Sequence, residues 1–87
     1  MEISVIIPAY NEEDVIRSTV HDVKAYLATR FSSYEIIVVD DGSSDATATA
    51  VSEFSDVTLL RYTPNRGKGY AVKHGVLAST GDIILFM

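Results

Sequence analysis

Residues 35–45 read Glu-Ile-Ile-Val-Val-Asp-Asp-Gly-Ser-Ser-Asp, and this stretch decides the fold. Its four consecutive β-branched residues, at positions 36–39, lack polar alternation, which is typical of a parallel strand covered by helices on both faces. The glycine and serines that follow indicate a turn leading into a helix. This strand, turn and helix predict an α/β protein.

Three other apolar runs alternate with segments of helical periodicity. The first helix repeats apolar residues every three or four positions on one face, at Ile16, Val20, Val23 and Leu27. The predicted strands lie at 3–7, 35–39, 57–62 and 82–86, and the predicted helices at 12–28, 45–54 and 68–79. This β-α-β-α-β-α-β order with right-handed crossovers predicts an α/β fold with a doubly wound parallel sheet.

Several residues predict where the helices begin and end. Asn11 is expected to cap the first helix, with the acids at 12–14 in its first turn, where the helix dipole favours them. A serine at 43–44 is expected to cap the second helix. Gly81 is expected to end the third helix in a left-handed conformation, and Gly75 to mark close packing of that helix on the sheet.

Composition indicates one small globular domain, residues 1–87. Of the 87 residues, 47% are hydrophobic and 22% charged, which excludes a disordered chain. The chain has seven Lys and Arg residues and twelve Asp and Glu residues, which gives a net charge of −5. This acidic balance argues against a nucleic-acid partner and against an anionic membrane face, although it allows local basic sites. Absence of Cys excludes a disulfide and a thiol nucleophile.

Both ends of the chain bear on its context. The first apolar run, 3–9, lacks a basic lead and is too short for a signal peptide or a membrane span. The last, 83–87, is as apolar as the buried strands and has no turn or cap after it, so it is expected to form an exposed strand edge. We therefore expect an N-terminal piece of a longer protein, in which this last strand offers a route to self-association.

Polar clusters follow the first three predicted strands, at 8–12, 40–45 and 65–69. Ligands of open parallel sheets bind at the carboxyl ends of the strands, so these clusters are expected to converge. In the first cluster, Glu12 and the two acids after it repel a pyrophosphate and favour a base or ribose. Taken alone, the segment 11–14 is better explained as a helix start.

The second and third clusters carry opposite charges. Asp40 directly follows the strand, where a carboxylate needs a hydrogen-bonding partner, and Asp41 begins the turn. Such a pair accepts hydrogen bonds from a base or ribose, or helps to hold a cation, whereas Asp41 also suits a purely structural turn. Arg66 and Lys68 flank glycines at a helix start, where a phosphate or the base could approach.

Taken together and in order, the clusters resemble the N-terminal nucleotide-binding half of family 2 glycosyltransferases with the GT-A fold. The resemblance covers essentially the whole chain and is greatest to polyprenyl-phosphate sugar synthases of the dolichyl-phosphate mannose or glucose type. It is carried by the segments at 5–12, 37–45, 65–69 and 81–87, together with Gly75.

The resemblance implies a strand order of 3-2-1-4 and a donor site for a UDP-linked or GDP-linked sugar. Four residues would line the base and ribose pocket, Asp40 would hydrogen-bond the base with Asp41 beside it, and two cations would border the nucleotide. The implied nucleotide-sugar-binding residues are Pro8, Ala9, Tyr10, Glu12, Asp40, Asp41, Arg66 and Lys68.

The resemblance also implies parts that lie outside residues 1–87. Mg²⁺ or Mn²⁺ would be held in the full-length protein by an Asp-x-Asp motif expected just after Met87, so no metal ligand and no catalytic residue is assigned here. The acceptor, for which a lipid phosphate is one candidate, would bind elsewhere. We expect inverting sugar transfer by the full-length protein, in the cytoplasm or at the cytoplasmic face of a membrane, and no activity from the isolated piece.

Other functions fit the sequence less well. A dinucleotide-dependent oxidoreductase would carry Gly-x-Gly-x-x-Gly after the first strand, where this chain has Ala-Tyr-Asn-Glu-Glu at 9–13. A receiver module would need a further phosphoacceptor Asp and a late Lys. A nucleotidyltransferase would have a basic glycine-rich first loop. A non-catalytic nucleotide-binding or assembly fragment is the remaining alternative.

Overall fold

The computed structural model describes residues 1–87 as one four-stranded parallel sheet with three helices. The elements are β1 (Ile3–Ala9), α1 (Ile16–Ala28), β2 (Tyr34–Asp41), α2 (Thr47–Val51), β3 (Val57–Tyr62), α3 (Lys68–Ala78) and β4 (Ile83–Phe86). The strands lie side by side in the order β3-β2-β1-β4, and every pair is parallel. The fold class and the strand order 3-2-1-4 are confirmed.

The sheet is covered on both faces because the central strands alternate their apolar side chains between two cores. Ile3, Val5 and Ile7 of β1 pack with α1 and α2 in the larger core. Ile6, which points the other way, packs with Ala71 of α3 in the smaller one. Helix α3 is therefore the single helix on its face of the sheet, and it lies over β1 and β2.

Helix α1 begins later than the sequence predicts. It starts at Ile16, its N-cap residue is Val15 without a side-chain cap, and the predicted cap by Asn11 and the predicted acids in the first turn are wrong. The backbone amides of residues 11–13 instead donate to side chains of the loop after β2 and of Thr47, the first residue of α2. These long-range hydrogen bonds hold 11–13 against that loop, so the regular helix starts after them.

Helix α2 is also shorter than predicted, at five residues, and no serine caps it. The carboxylate of Asp45 accepts hydrogen bonds from the backbone N–H (3.0 Å) and the hydroxyl of Thr47. The hydroxyl of Thr47 is the main group that holds the pKa of Asp45 below its usual value. The N-cap residue of α2 is Ala46, which has no side-chain cap, and Asp45 holds the first residue of the helix from one position earlier.

Two glycines allow close approach between elements. A Cβ atom on Gly75 would lie 2.5 Å from Ile6 Cγ2, which confirms the predicted close packing of α3 on the sheet. Gly81 does not adopt the left-handed conformation that the sequence predicts, and α3 ends at Ala78 with Ser79 as C-cap. A Cβ atom on Gly81 would instead lie 2.5 Å from the backbone nitrogen of Ser4.

Strand β4 forms one edge of the sheet and is exposed. Its four residues are 40–57% exposed, as the sequence predicts for this edge. An apolar groove lies between β4 and α1, lined by residues that include Val23, Leu27 and Leu85. Self-association through β4 stays a prediction.

None of the three helices combines the length and the apolar character that crossing a bilayer requires.

The carboxylate of Glu35 joins three segments at the amino-terminal end of the sheet. It accepts hydrogen bonds from the Ser4 hydroxyl and from the backbone N–H (2.6 Å) and hydroxyl (2.9 Å) of Thr80. Ser4 Oγ in turn accepts from the backbone N–H of Gly81, at 2.8 Å. Partial burial opposes ionisation of Glu35, but these hydrogen bonds outweigh it and lower its pKa.

The close packing at Gly75 gives a first prediction. Gly75→Ala is expected to destabilise the fold by about 1–3 kcal/mol, because the clash with Ile6 exceeds the gain in helix propensity of roughly 1 kcal/mol. Gly69→Ala in the same helix is the control, since its Cβ would have no neighbour within 4 Å. Urea unfolding should show Gly69→Ala unchanged or stabilised; equal losses from both variants would contradict this packing.

Glu35 predicts a dependence of stability on pH. Its pKa is lower in the folded chain than its usual 4.5, so its stabilisation is complete above that value and is lost as the pH falls through the folded pKa. Urea unfolding over a pH series should show Glu35→Gln less stable than wild type at neutral pH, with the difference shrinking in acid. Glu13→Gln is the control, because Glu13 is exposed and its carboxylate accepts no hydrogen bond; a constant deficit for Glu35→Gln would refute the linkage.

Candidate functional site

A cleft of about 370 Å³ lies at the carboxyl ends of β1 and β2, beside the start of α3. Three loops contribute to it: the segment after β1, the end of β2 and the loop that leads from β3 into α3. The lining residues are Pro8, Ala9, Tyr10, Glu12, Asp41, Asn65, Gly67, Lys68 and Met87. The convergence of the three polar clusters predicted from the sequence is therefore observed.

The first two loops are joined by reciprocal hydrogen bonds. The backbone N–H of Asn11 donates to Ser43 Oγ, and Asn11 Oδ1 accepts from the backbone N–H of Ser44, both at 2.9 Å. The N–H of Glu12 donates to Thr47 Oγ1 at the same distance. Asn11 adopts a φ of 50°, a left-handed conformation that Asn tolerates better than most residues. This geometry holds the backbone of Glu12 and leaves its side chain at the cleft.

Asp41 connects the end of β2 to the third loop. Its Oδ1 accepts hydrogen bonds from Tyr62 OH (2.6 Å) and from the N–H of Arg66 (2.9 Å). Its Oδ2 accepts from Asn65 Nδ2 (2.9 Å) and from the N–H of Gly67 (3.1 Å). Because the carboxylate is buried, these four donors replace the water that it loses. Asp41 thereby fixes the loop that carries Lys68.

Tyr62 packs behind this contact. Burial, followed by the hydrogen bond to Asp41, raises the pKa of Tyr62, so the hydroxyl stays a proton donor. Its ring stands edge-on to that of Tyr70, with the centroids 5.0 Å apart, and lies 5.3 Å from the ring of His74. These aromatic contacts hold β3 against the first two turns of α3.

Asp40 and Arg66 are predicted binding residues that the structure places outside the cleft lining. Asp40 is 1% exposed; its Oδ1 accepts a 3.0 Å hydrogen bond from the N–H of Ser43, and its Oδ2 lies 4.0 Å from Arg61 Nε. The Arg66 guanidinium lies over the ring of Tyr70, at 5.3 Å. Their predicted contacts with a nucleotide stay predictions, and Asp41 occupies the cleft position that the sequence favoured for Asp40.

The other six predicted residues all line the cleft: Pro8, Ala9, Tyr10, Glu12, Asp41 and Lys68. Sequence reasoning missed Asn65, Gly67 and Met87. Asn65 and Gly67 belong to the third polar cluster, so their proximity to Lys68 was the available signal. Met87 carries no such signal, because its place depends on the register of β4 against β1.

The cleft has acidic and basic sides. Glu12 supplies a carboxylate after β1, whereas Lys68 stands at the first residue of α3, where the Asp41 carboxylate is already bonded to the N–H of Gly67. The amino terminus of α3 has no side-chain cap, so its free N–H groups and Lys68 favour an anion there. The chain contains no group of three or more His, Cys, Asp or Glu side chains that could hold a metal ion.

Comparison with known proteins gives a consistent result. The family model described as Glycosyl transferase family 2 matches residues 4–87. The chain is 42% identical over 96 aligned positions to a dolichyl-phosphate beta-glucosyltransferase from Dictyostelium discoideum. The alignment covers 98% of this chain and 29% of that protein.

Solved structures share the fold. A mannosyltransferase from Pyrobaculum calidifontis, in complex with GDP-Man and Mn²⁺, superposes with a TM-score of 0.82 and 30% identity, over 95% of this chain and 26% of that one. A glucosyl-3-phosphoglycerate synthase from Mycobacterium tuberculosis, in complex with Mn²⁺, UDP and phosphoglyceric acid, gives a TM-score of 0.80 and 30% identity, over 99% and 32%. The chain spans less than a third of the length of these relatives.

The role of Asp41 is testable by removing one charge. In Asp41→Asn the new amide nitrogen faces one backbone N–H, of Arg66 or of Gly67, so that hydrogen bond is lost and a buried donor is left without an acceptor; we expect a destabilisation of about 2 kcal/mol in urea unfolding. Hydrogen exchange at the amides of Arg66 or Gly67 should accelerate. Asp22→Asn is the control, because Asp22 is exposed and makes only a 3.7 Å contact with His21; unchanged amide protection in Asp41→Asn would disprove the role.

Proposed function

The chain belongs to glycosyl transferase family 2, and from that membership we propose that its protein transfers a sugar from a nucleoside-diphosphate sugar to a polyprenyl phosphate. Residues 1–87 would form the donor-binding part. The proposal on the acceptor is supported by the similarity to a dolichyl-phosphate beta-glucosyltransferase. The proposal on the donor is supported by the GDP-Man and UDP bound to the two similar structures.

The observation that carries the proposal is the division of the cleft into an acidic and a basic side. The carboxylate of Glu12 accepts hydrogen bonds from base N–H or ribose hydroxyl groups and repels a diphosphate. Lys68 and the uncapped amino terminus of α3 attract the diphosphate by charge. A nucleoside diphosphate therefore fits in one orientation, with Pro8, Ala9 and Tyr10 beside the base and the diphosphate directed to α3.

The proposed reaction is a single displacement at the anomeric carbon. An oxygen of the acceptor phosphate forms the new bond to this carbon, while the bond to the nucleoside diphosphate breaks and its oxygen leaves with the electron pair. Attack from the opposite side inverts the configuration. In this reaction Lys68 stabilises negative charge on the leaving diphosphate, and the residues around the base and ribose orient the donor.

A divalent cation would neutralise charge on the same leaving group, as Mn²⁺ accompanies the nucleotide in both similar structures. The side chains of residues 1–87 do not fit such an ion by themselves, since they form no cluster of three metal-ligating groups. We therefore assign no metal ligand here and expect these residues alone to bind a donor without transferring its sugar. Sugar transfer by this piece with Mg²⁺ or Mn²⁺ and a radiolabelled donor would contradict that expectation.

Localisation follows from the proposed acceptor. A polyprenyl phosphate is held in a membrane by its hydrocarbon tail, whereas nucleoside-diphosphate sugars are water-soluble. We propose that the cleft works at the cytoplasmic face of a membrane, where it can receive both substrates.

Calorimetric titration with UDP, GDP and a nicotinamide dinucleotide tests the donor site. We expect one of the first two to bind, and Lys68→Ala to weaken its binding about tenfold, because Lys68 forms a charge-assisted contact with the diphosphate. Arg30→Ala removes an equal charge far from the cleft and is the control. Binding of the nicotinamide dinucleotide alone, or equal effects of the two variants, would overturn the proposed donor site.

A further inference from the structure

The segment from β3 to the residue before β4 differs in charge from the rest of the chain. Residues 57–81 contain four of the seven Lys and Arg residues and none of the twelve Asp and Glu residues. The four cations are Arg61, Arg66, Lys68 and Lys73. In a chain with a net charge of −5, this segment forms a local basic region.

Helix α3 presents part of this region to solvent. Ala71 and Gly75 face the sheet, while Tyr70, Lys73 and Leu77, spaced three and four residues apart, lie on exposed positions. Tyr70 is 44% and Leu77 is 77% exposed, and Leu77 is the most exposed of the large apolar residues. We call these positions and Arg66 the outward face of α3: Arg66, Tyr70, Lys73 and Leu77. The outward face thus combines two cations, an aromatic ring and an exposed leucine.

The cations of the outward face are not neutralised by the chain itself. Arg17 pairs with Glu53, Lys24 with Asp56, and Arg61 lies near Asp40, but neither Arg66 nor Lys73 forms an ion pair. The guanidinium of Arg66 instead lies over the ring of Tyr70. Both positive charges are therefore available to an external anion.

We propose that the outward face of α3 docks on the anionic surface of a lipid bilayer. Lys and Arg near such a surface are attracted by its negative potential, and a tyrosine ring is favoured at the boundary between headgroups and hydrocarbon. Leu77 gains from entering the acyl region, a gain that a polyanion in water, such as a nucleic acid, does not offer. The pairing of cations with an exposed leucine therefore favours a bilayer.

The docked helix lies in the plane of the membrane. With 11 residues, α3 is too short to cross a bilayer, whose hydrocarbon core needs about 20 helical residues. Lys68 at the start of α3 lines the cleft, so docking of this helix places the cleft beside the bilayer. That placement suits a lipid-phosphate acceptor, a connection that rests on the proposed function, whereas the docking itself does not.

Sedimentation with vesicles tests the docking without any sugar transfer. The 87-residue chain is mixed with vesicles of phosphatidylcholine alone, or of phosphatidylcholine with the anionic phosphatidylglycerol. We expect binding to the anionic vesicles only, with loss of binding as salt rises, because salt screens exposed charges. Equal binding to both vesicles, no binding to either, or binding that salt leaves unchanged would overturn the proposal.

Variants locate the contact on the chain. Lys73→Glu should weaken binding to anionic vesicles about fivefold or more, and Leu77→Ser about threefold or more. Arg30→Glu makes the same charge change as Lys73→Glu at an exposed residue just after α1, on the other face of the sheet, and should retain most of the binding. Equal losses from Lys73→Glu and Arg30→Glu would refute the assignment to α3.

Two further measurements distinguish membrane docking from misfolding of a variant and from binding of a soluble polyanion. The circular dichroism spectrum of each variant should match that of the wild type, because all the substituted residues are exposed. Where a variant fails to fold, the salt series on the wild-type chain still tests the proposal. Retention of the chain on heparin without vesicle binding would assign the outward face to a soluble polyanion and overturn the membrane docking. Failure of nucleotide binding, by contrast, would leave this result unaffected.

Discussion

The buried carboxylate of Asp41 is the contact on which the geometry of the cleft depends. It lies at the end of the central strand β2, where an ionised group without partners would be strongly unfavourable. Donors from β3 and the following loop, among them Tyr62 OH and the amides of Arg66 and Gly67, satisfy it. The third loop is thus held to the second strand, and the position of Lys68 follows because α3 begins directly after Gly67.

The strands could be predicted because the information is local: runs of β-branched residues mark each strand, and alternation with helices predicts a parallel sheet. The order of the strands, by contrast, comes from the resemblance to a known family. Which of two adjacent carboxylates reaches the cleft is not local. Neighbouring residues of a strand point to opposite faces, so Asp40 and Asp41 cannot both meet the third loop. The register of β2 against β3, which sets Asp41 opposite Tyr62, decides between them. The sequence of two adjacent Asp residues does not show this register.

The start of α1 shows the same limit for helix caps. An Asn followed by three acids is a strong local signal for a helix start, and the backbone amides there do need acceptors. Those acceptors are side chains 32–35 residues away, in the loop after β2 and at the first residue of α2, rather than a local cap. The mismatch has a structural consequence, because the same hydrogen bonds join the two loops that carry Glu12 and Asp41. A segment that would otherwise only start a helix therefore lines the cleft.

Net charge is a poor guide to what such a chain binds, because charges act over short distances in salt. The Debye length is about 8 Å at physiological ionic strength, whereas a helix of 11 residues is about 16 Å long. Asp22, the one acid of α1, therefore offsets little of the potential around α3 on the other face of the sheet, whereas Glu12 acts on Lys68 within the cleft. Residues 57–81 behave as a cationic element within an anionic chain, and Lys68 and Lys73 belong to that element although they serve different surfaces. The segregation of charge between the two faces, more than its total, is what makes the proposed docking of α3 on an anionic surface compatible with a net negative charge.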